Sequence, residues 1–413
     1  MHSVSQIQSG ELIGIKRLYL SENLTSFPLE ILTLADSLEI LDLSNNQLST
    51  LPDELVELKK LKILFASNNL FDHLPEVIGK CENLEMVGFK SNKIARVAEG
   101  SLPLKLRWLI LTDNNIQKLP ESLGERTNLK KLALAGNKIK QLPTTFSKLS
   151  NLELLRISAN HLTEFPSSLL TLPKLAWLAF AGNPFCQTSV ASNTVPEVLS
   201  NNISLDEVLG QGASGVISKG RWHIPDVRFP NEIAVKVFKG EVTSDGYPQD
   251  ELNACLKVGN HPNLVQSLAQ IKEPNYLALI MNLIPSNYRN LGLPPSLASC
   301  TRDTFDIGFE LAITDIDKII STMKDVFNHL HNNKVCHGDL YAHNTLIDEE
   351  SNIIFGDFGA ASMYHMLNEA EQDAIKKIEQ RALNYFIEDL LSVCKEEDKQ
   401  SELFQSLTSF IKD

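Results

Sequence analysis

The chain has 413 residues, of which 43% are hydrophobic and 22% charged, and its formal net charge is −13 at pH 7. This length exceeds the usual size of one domain, so we expect two domains, each with its own core. Residues 1–186 contain 20 basic and 19 acidic side chains, and residues 187–413 contain 18 and 32. Because neither half has a basic excess, a nucleic-acid partner or an anionic membrane surface is disfavoured.

The start of the chain and the cysteines favour a cytoplasmic protein. No basic stretch followed by an apolar run occurs near the start, and no run of about 20 apolar residues, the length of a membrane span, occurs anywhere. The six cysteines are dispersed, with no Cys-x-x-Cys pair and no Cys/His cluster at metal-ligand spacing. We therefore expect reduced thiols, no secretory signal and no membrane span.

Residues 1–186 repeat with a period of about 23 residues, within the pattern LxxLxLxxNxL. This part of the chain resembles the leucine-rich-repeat family, which implies an α/β solenoid of about eight repeats. Each repeat is expected to supply one short strand and an asparagine whose amide bonds backbone groups at the end of the strand. The first copy is irregular and is expected to be a cap. The asparagines in register are Asn23, Asn46, Asn69, Asn92, Asn114, Asn137, Asn160 and Asn183.

The outward positions of the repeat strands are the candidate binding surface. They form the concave face of a solenoid, and their apolar and aromatic middle favours a protein partner over plain exposed surface. Residues 187–202 lack the leucine period and are expected to be a linker, short enough for contact between the two domains. The outward positions are Tyr19, Asp42, Phe65, Gly88, Ile110, Ala133, Arg156 and Ala179.

Residues 203–413 carry a second set of motifs. Residues 209–216 (LGQGASGV) match a glycine-rich loop, in which glycines let backbone N–H groups approach phosphate oxygens and Val216 lies against a flat base. Lys236 follows in an apolar strand, where its ammonium group can reach phosphates. A half-buried lysine needs an anion. Glu251 in the next helical run is the preferred partner of Lys236, and Asp250 is the alternative.

Two further segments complete the pattern. Residues 335–344 (VCHGDLYAHN) and 356–359 (GDFG) make residues 203–390 resemble eukaryotic-type protein kinases. The resemblance implies a two-lobed α+β domain that uses ATP and Mg²⁺, with Asp339 orienting the substrate hydroxyl group, Asn344 and Asp357 holding the metal, and Lys236 and Glu251 completing the site. The expected nucleotide contacts are Leu209, Gly210, Gly212, Gly215, Val216, Ala234, Lys236, Met281, Leu283 and Leu346.

The chain departs from that family in four ways. Gly338 stands where an arginine usually grips a phosphorylated activation loop, and Tyr341 stands where serine/threonine kinases commonly have lysine. The Ala-Pro-Glu sequence is absent, and few residues follow the last long helical pattern, which predicts a shortened C-lobe. Ser362 and Tyr364 are the only hydroxyl-bearing residues between Asp357 and Arg381. We therefore expect activity without phosphorylation of this loop, and contact between the repeats and the reduced lobe.

Three functions compete at this point. The favoured one is a leucine-rich-repeat protein kinase, with serine and threonine preferred and the substrate recruited by the repeats. A kinase-like scaffold would bind nucleotide without turnover, although the four key polar groups are all present. A phosphotransferase of the aminoglycoside or choline kinase type would share the segment His-Gly-Asp-Leu. His337 is expected to pack in the core, while His343 is either a substrate contact or a solvated loop residue.

Overall fold

The computed structural model describes residues 1–186, 195–212, 214–225, 227–240 and 242–411. Two compact units result: Met1–Leu175 with Asn183–Phe185, and Ala176–Gly182 with Cys186–Asp413. Residues 187–194 of the predicted linker lie outside the described residues, and the boundaries predicted at 186 and 203 stay predictions. No helix in the described part of the chain is long and apolar enough to cross a membrane.

The first unit is built on parallel strands that pair in chain order. Each strand has three residues, and the central one is fully buried, as Leu41 and Leu64 are where they face one another across β2 and β3. No repeat can bury its apolar face alone, so stacking of neighbours makes the core. The elements are α1 (Val4–Gln8), β1 (Arg17–Tyr19), β2 (Ile40–Asp42), β3 (Ile63–Phe65), β4 (Met86–Gly88), β5 (Trp108–Ile110), β6 (Lys131–Ala133) and β7 (Leu154–Arg156).

A ladder of buried asparagines joins one repeat to the next. Nδ2 of Asn46 donates to the carbonyl oxygens of Leu20 and Leu43, both at 2.9 Å, and its Oδ1 accepts the N–H of Leu24 at 3.0 Å. The amide satisfies backbone groups that the turning chain would leave unpaired. The same pattern of donors and acceptors recurs at Asn69, Asn92, Asn114, Asn137, Asn160 and Asn183.

Asn23 does not occupy the ladder position predicted for it. It is exposed, with φ 56°, the left-handed conformation that Asn45 and Asn68 adopt just before the ladder asparagines of later copies. The first repeat is therefore shifted by one residue from the register that the sequence suggested. The return path of each coil is a 3₁₀ helix instead of an α-helix, and several of these begin after a proline, as at Asp53–Glu57, Glu121–Glu125 and Thr144–Lys148.

The second unit begins with β8 (Trp177–Ala179), the last strand of the repeat pattern. Its antiparallel sheet has the order β12-β13-β11-β10-β9 in the described residues. Leu252 and Leu256 of α2 pack on Ala234 and Leu279, which holds α2 against one face of this sheet. The elements of this part are β9 (Ile203–Gln211), β10 (Gly215–Trp222), β11 (Glu232–Phe238), α2 (Pro248–Val258), β12 (Ser267–Glu273) and β13 (Tyr276–Asn282).

The rest of the second unit is mainly helical in the described residues. Two long helices pack together and bury apolar stripes that include Ile316, Met323, Phe386 and Leu390. Small β-pairs beside them carry the loops of the site. The elements are β14 (Arg289–Asn290), α3 (Ile313–Asn332), β15 (Val335–Cys336), β16 (Thr345–Ile347), β17 (Ile353–Phe355), β18 (Ser362–Met363), α4 (Glu369–Ser392) and α5 (Glu402–Phe410).

Candidate active site

A cavity of about 850 Å³ lies in the second unit, beside the five-stranded sheet. Ile217 lines it and Val216 does not. Successive side chains of a strand point to opposite faces, so only one of these two neighbours in β10 can face the cavity. The residue expected to lie against a flat base is therefore Ile217, not Val216. The predicted residues that do line the cavity are Leu209, Gly210, Gly212, Gly215, Ala234, Lys236, Glu251, Met281, Leu283, Leu346 and Asp357.

Lys236 and Glu251 form an ion pair at the cavity wall. Their side chains are 10% and 4% exposed, and Nζ of Lys236 also lies 3.9 Å from Oδ1 of Asp357. Burial by itself lowers the pKa of Lys236, but the carboxylates of Glu251 and Asp357 outweigh burial and raise that pKa above its usual value. The lysine is therefore a fixed positive charge at neutral pH, placed to meet an anion.

Asp250 is not the partner of Lys236. It lies in the first turn of α2, beside Glu251, but its Oδ2 atom is buried and has no hydrogen-bond partner among the described residues. A Cβ atom built on Gly182 would lie 2.6 Å from this oxygen, so the carboxylate packs closely against the Gly182 backbone. Burial raises the pKa of Asp250 to about 6.

The loop at residues 337–344 brings Asp339 and Asn344 together. Nδ2 of Asn344 donates to Oδ2 of Asp339 at 2.8 Å and to its carbonyl oxygen at 3.1 Å. These bonds orient the amide so that its donor group faces Asp339, which leaves the amide oxygen for another partner. The two residues stand outside the lining of the cavity as the structure describes it.

Asp357 lines the cavity and is a candidate metal ligand. Its carboxylate is 56% exposed, and the backbone is left-handed at φ 57°. Oxygen ligands suit Mg²⁺, so the amide oxygen of Asn344 and the carboxylate of Asp357 fit that ion in chemistry. The described residues contain no group of three or more His, Cys, Asp or Glu placed to hold a metal. Phosphate oxygens of a nucleotide would have to complete the coordination.

Glu379 anchors the start of the loop. Its Oε1 atom accepts the backbone N–H of His337 at 2.6 Å and of Gly338 at 3.2 Å, and its Oε2 atom lies 2.8 Å from Nε2 of His331. His337 is fully buried, and its Nε2 lies 3.0 Å from the carbonyl oxygen of Gly356. The histidine thus ties the loop to the segment that carries Asp357, and it does not face the cavity.

Asp303 is a site residue that the sequence did not reveal. It lies far from the loop along the chain, in an irregular segment with no motif of its own, and its carboxylate is 1% exposed. One oxygen accepts the N–H of Ala342, and the other lies 2.7 Å from Nδ1 of His343. His343 is therefore held in place by a buried carboxylate and is not a freely solvated loop residue.

Comparison with known proteins identifies both parts of the chain. Residues 203–386 match the protein kinase domain model, residues 104–162 and 127–185 match a leucine rich repeat model, and residues 37–58 match a second one. This chain combines leucine-rich repeats with a protein kinase domain. The fold and the kind of domain predicted from the sequence are thereby confirmed. Kinase domains in general use ATP and a divalent metal.

Similar curated proteins are kinases by name. A serine/threonine-protein kinase of Saccharomyces cerevisiae is 28% identical over 174 residues, 41% of this chain and 25% of that protein. A probable L-type lectin-domain containing receptor kinase of Arabidopsis thaliana is 26% identical over 40% of this chain and 24% of that protein. Kinase suppressor of Ras 2 of Mus musculus is 25% identical over 48% and 19%. The chain thus matches about a quarter or less of each of these relatives.

Proposed function

We propose that the kinase domain transfers the γ-phosphoryl group of ATP to a hydroxyl group of a protein substrate, with serine and threonine preferred. The observation that carries this proposal is the buried Lys236–Glu251 pair, which lies at the wall of the cavity with Asp357 3.9 Å from the lysine. Phosphoryl transfer depends mainly on positioning and on neutralising charge, so few groups are needed. The names of the relatives support the preference for serine and threonine.

Each polar group then has a role. Bound Mg²⁺ would neutralise charge on the transferring phosphoryl group. Asn344 and Asp357 would hold that ion, and Lys236 would bind phosphate oxygens. Asp339 would accept or orient the proton of the substrate hydroxyl group. The hydrogen bond from Asn344 to Oδ2 of Asp339 supports this role, because it fixes the carboxylate beside the residue proposed to hold the metal.

The proposed site for a protein substrate is the N-terminal part of the concave face of the repeats. Among the outward positions, Tyr19, Phe65 and Ile110 keep part of their surface exposed, whereas Ala133 and Arg156 are buried. Aromatic and apolar side chains at such positions are typical of protein-binding surfaces. The cytoplasmic location expected from the sequence stays a prediction.

The decisive experiment incubates the full chain with labelled ATP and Mg²⁺, once with a mixed protein extract and once with small alcohols. Asp339→Asn serves as the control because it keeps the shape of the side chain but removes its charge. Label that enters serine or threonine of extract proteins, and that the control lacks, supports the proposal. Label in the alcohols alone would identify a small-molecule phosphotransferase. Nucleotide binding without any transfer would identify a scaffold.

A second experiment tests recruitment by the repeats. Phe65→Asp and Ile110→Asp should lower kcat/KM for an extract substrate by about tenfold, because each places a charge in an apolar contact. Phosphorylation of a short generic peptide should not change. Equal losses with both substrates would contradict recruitment and leave the catalytic proposal in place.

A further inference from the structure

Trp177 of β8 contacts the 337–344 loop inside the second unit. The indole ring is 1% exposed and stacks on Tyr341, with ring centroids 4.9 Å apart and planes 7° from parallel. The indole also stacks on Tyr385, at 5.3 Å and 15°. Nε1 donates to the carbonyl oxygen of Leu340 at 3.0 Å. The indole thus bonds directly to the residue that follows Asp339.

The stacked rings lead to a half-buried ion pair. The guanidinium group of Arg302 lies over the ring of Tyr385, 4.6 Å from its centroid, and donates to Asp389 at 2.6 Å. Arg302 is followed by Asp303, which bonds Ala342 and His343. The loop is therefore held both by the stacked rings and by the Asp303 carboxylate. Arg302, which contacts the rings, and Asp303 are consecutive residues of the same segment.

The two residues directly after β8 bond the segment that follows Asp357. Oγ of Ser362 accepts the N–H of Phe180 at 2.9 Å and the N–H of Ala181 at 3.1 Å. Ser362 is fully buried in β18, which pairs with β15 at the start of the loop. The residues around Asp339 and those after Asp357 are therefore tied to one short segment, residues 177–181.

Gly338 gives β8 the room for this approach. Its φ is 71°, and a Cβ atom built there would lie 2.6 Å from the carbonyl oxygen of Leu178. Any larger side chain would have to displace β8 or the loop. The glycine that removes the usual phosphate-gripping arginine is thus also the residue that lets the strand pack against the loop.

We infer that Trp177 is a positioning residue for the kinase reaction: it fixes the 337–344 loop from the strand that ends the repeats, in place of a phosphorylated activation loop. This inference rests on the proposed function. Leu340 and Tyr341 directly follow Asp339, so a shift of the indole moves the aspartate relative to a bound substrate. A misplacement of about 1 Å can cost about 100-fold in rate.

The test compares Trp177→Leu with a matched tryptophan in the full chain. Trp222 also stacks on an aromatic ring, that of Phe229 at 4.8 Å and 17°, and its Nε1 also donates to a backbone carbonyl, that of Pro230 at 3.1 Å. It lies at the end of β10 and contacts neither the loop nor β18 through these bonds. Trp222→Leu therefore controls for the loss of an indole stack and hydrogen bond as such.

Replacing a tryptophan that has only a structural role would also lower activity, because the protein would unfold. Two kinds of measurement are therefore needed. We expect Trp177→Leu to lower kcat by at least about tenfold while KM for ATP stays within about twofold, because the nucleotide contacts are elsewhere. Hydrogen–deuterium exchange of the 337–344 amides should speed up by at least about tenfold, with the five-stranded sheet unchanged. Trp222→Leu should change neither quantity.

Trp177→Phe covers the case in which the leucine variant does not fold. It keeps a stacked ring and loses the Nε1 hydrogen bond, so we expect a smaller fall in kcat, about threefold, with faster exchange confined to the loop. Unchanged kcat and unchanged loop exchange in the folded variants would overturn the inference. If the unmutated chain transfers no phosphate, the proposed function fails, and loop exchange alone still decides whether Trp177 positions the loop.

Discussion

Oδ1 of Asp303 lies 2.7 Å from Nδ1 of His343, and Oδ2 of the same carboxylate accepts the N–H of Ala342. A buried carboxylate that accepts two such bonds fixes both the ring and the backbone just before Asn344. His343 also packs against Tyr341, with ring centroids 4.9 Å apart. The carboxylate therefore acts on the loop through its backbone and through a side chain.

Asp303→Asn is expected to lower kcat by about tenfold, because the amide cannot reproduce both charged hydrogen bonds and the loop loses part of its fixed geometry. KM for ATP should change little. The matched control is Asp306→Asn, an exposed acid in the same segment, which should behave as the unmutated chain. Steady-state kinetics with a peptide substrate measure both. Equal kcat values for the two variants would show that Asp303 has no positioning role.

The Lys236–Glu251 pair is expected to affect the use of ATP. Glu251→Gln removes the charge that holds the lysine, so kcat/KM for ATP should fall by at least about tenfold. Asp250→Asn, one position earlier in the same helix, should leave this ratio within about twofold, because Asp250 faces Gly182 and not the lysine. A similar loss in both variants would mean that α2 as a whole was disturbed and that the pair has no special role.

The sequence predicted the parts of the site that depend on local motifs. The glycine-rich loop, Lys236, Asp339, Asn344 and Asp357 all occur in short patterns, and the structure places them in one unit around or beside one cavity. At one position of the glycine-rich loop the pattern was misread: Val216 was expected to face the cavity. Successive side chains of a strand point to opposite faces, and it is Ile217 that faces the cavity. In the pattern GxGxxGxV one residue separates the last glycine, Gly215, from the valine, so a correct count would have placed Ile217 at that position.

The contacts that hold the loop could not be predicted in the same way. Asp303 and Trp177 are distant from residues 337–344 along the chain, and neither belongs to a motif of that loop. The sequence placed Trp177 inside the repeat pattern, where a tryptophan on a strand is ordinary. Which distant side chains meet depends on how the whole unit packs, and periodicity in one segment carries no information about another. Only the glycine at 338 hinted that something approaches the backbone closely.

Gly338→Ala should destabilise the second unit by at least about 2 kcal/mol, because it combines positive φ with a clash against the carbonyl oxygen of Leu178. Gly308→Ala is the matched control. Gly308 has φ 82°, but nothing lies within 4 Å of a Cβ atom built there. Gly308→Ala should lower the free energy of unfolding only by the cost of a positive φ at alanine, about 1 kcal/mol. Thermal melting of both variants measures the difference, and equal shifts would show that β8 and Gly338 are not in close contact in solution.

The segment after Asp357 should work without phosphorylation. Ser362 and Tyr364 are both fully buried, and Oγ of Ser362 accepts the backbone N–H groups of the two residues that follow β8. Phosphopeptide mapping of the active chain should find neither residue modified. The double variant Ser362→Ala, Tyr364→Phe should keep its phosphorylation rate within about tenfold, although losing two hydrogen bonds lowers its melting temperature. A larger loss of rate, or recovery of rate on phosphorylation, would contradict this prediction.

Asp250 makes stability depend on pH. Burial raises the pKa of Asp250 from 3.8 to about 6, so the folded chain binds this proton more tightly than the unfolded chain. The stability that the folded chain gains from protonation of Asp250 is therefore fully present below about pH 4 and is lost as the pH rises through about 6. At pH 8 the buried, ionised carboxylate costs at most about 3 kcal/mol.

Asp250→Asn removes this cost, so the variant should melt higher than the unmutated chain at pH 8, by several degrees, and the gain should shrink to about a third near pH 4.5. Glu369→Gln is the control, because Glu369 occupies the first turn of α4 as Asp250 does in α2, yet is exposed. It should bring no gain at pH 8, since no buried charge is removed and a favourable charge at a helix N-terminus is lost. A gain for Asp250→Asn that is the same at both pH values would show that the carboxylate is not desolvated in the folded chain.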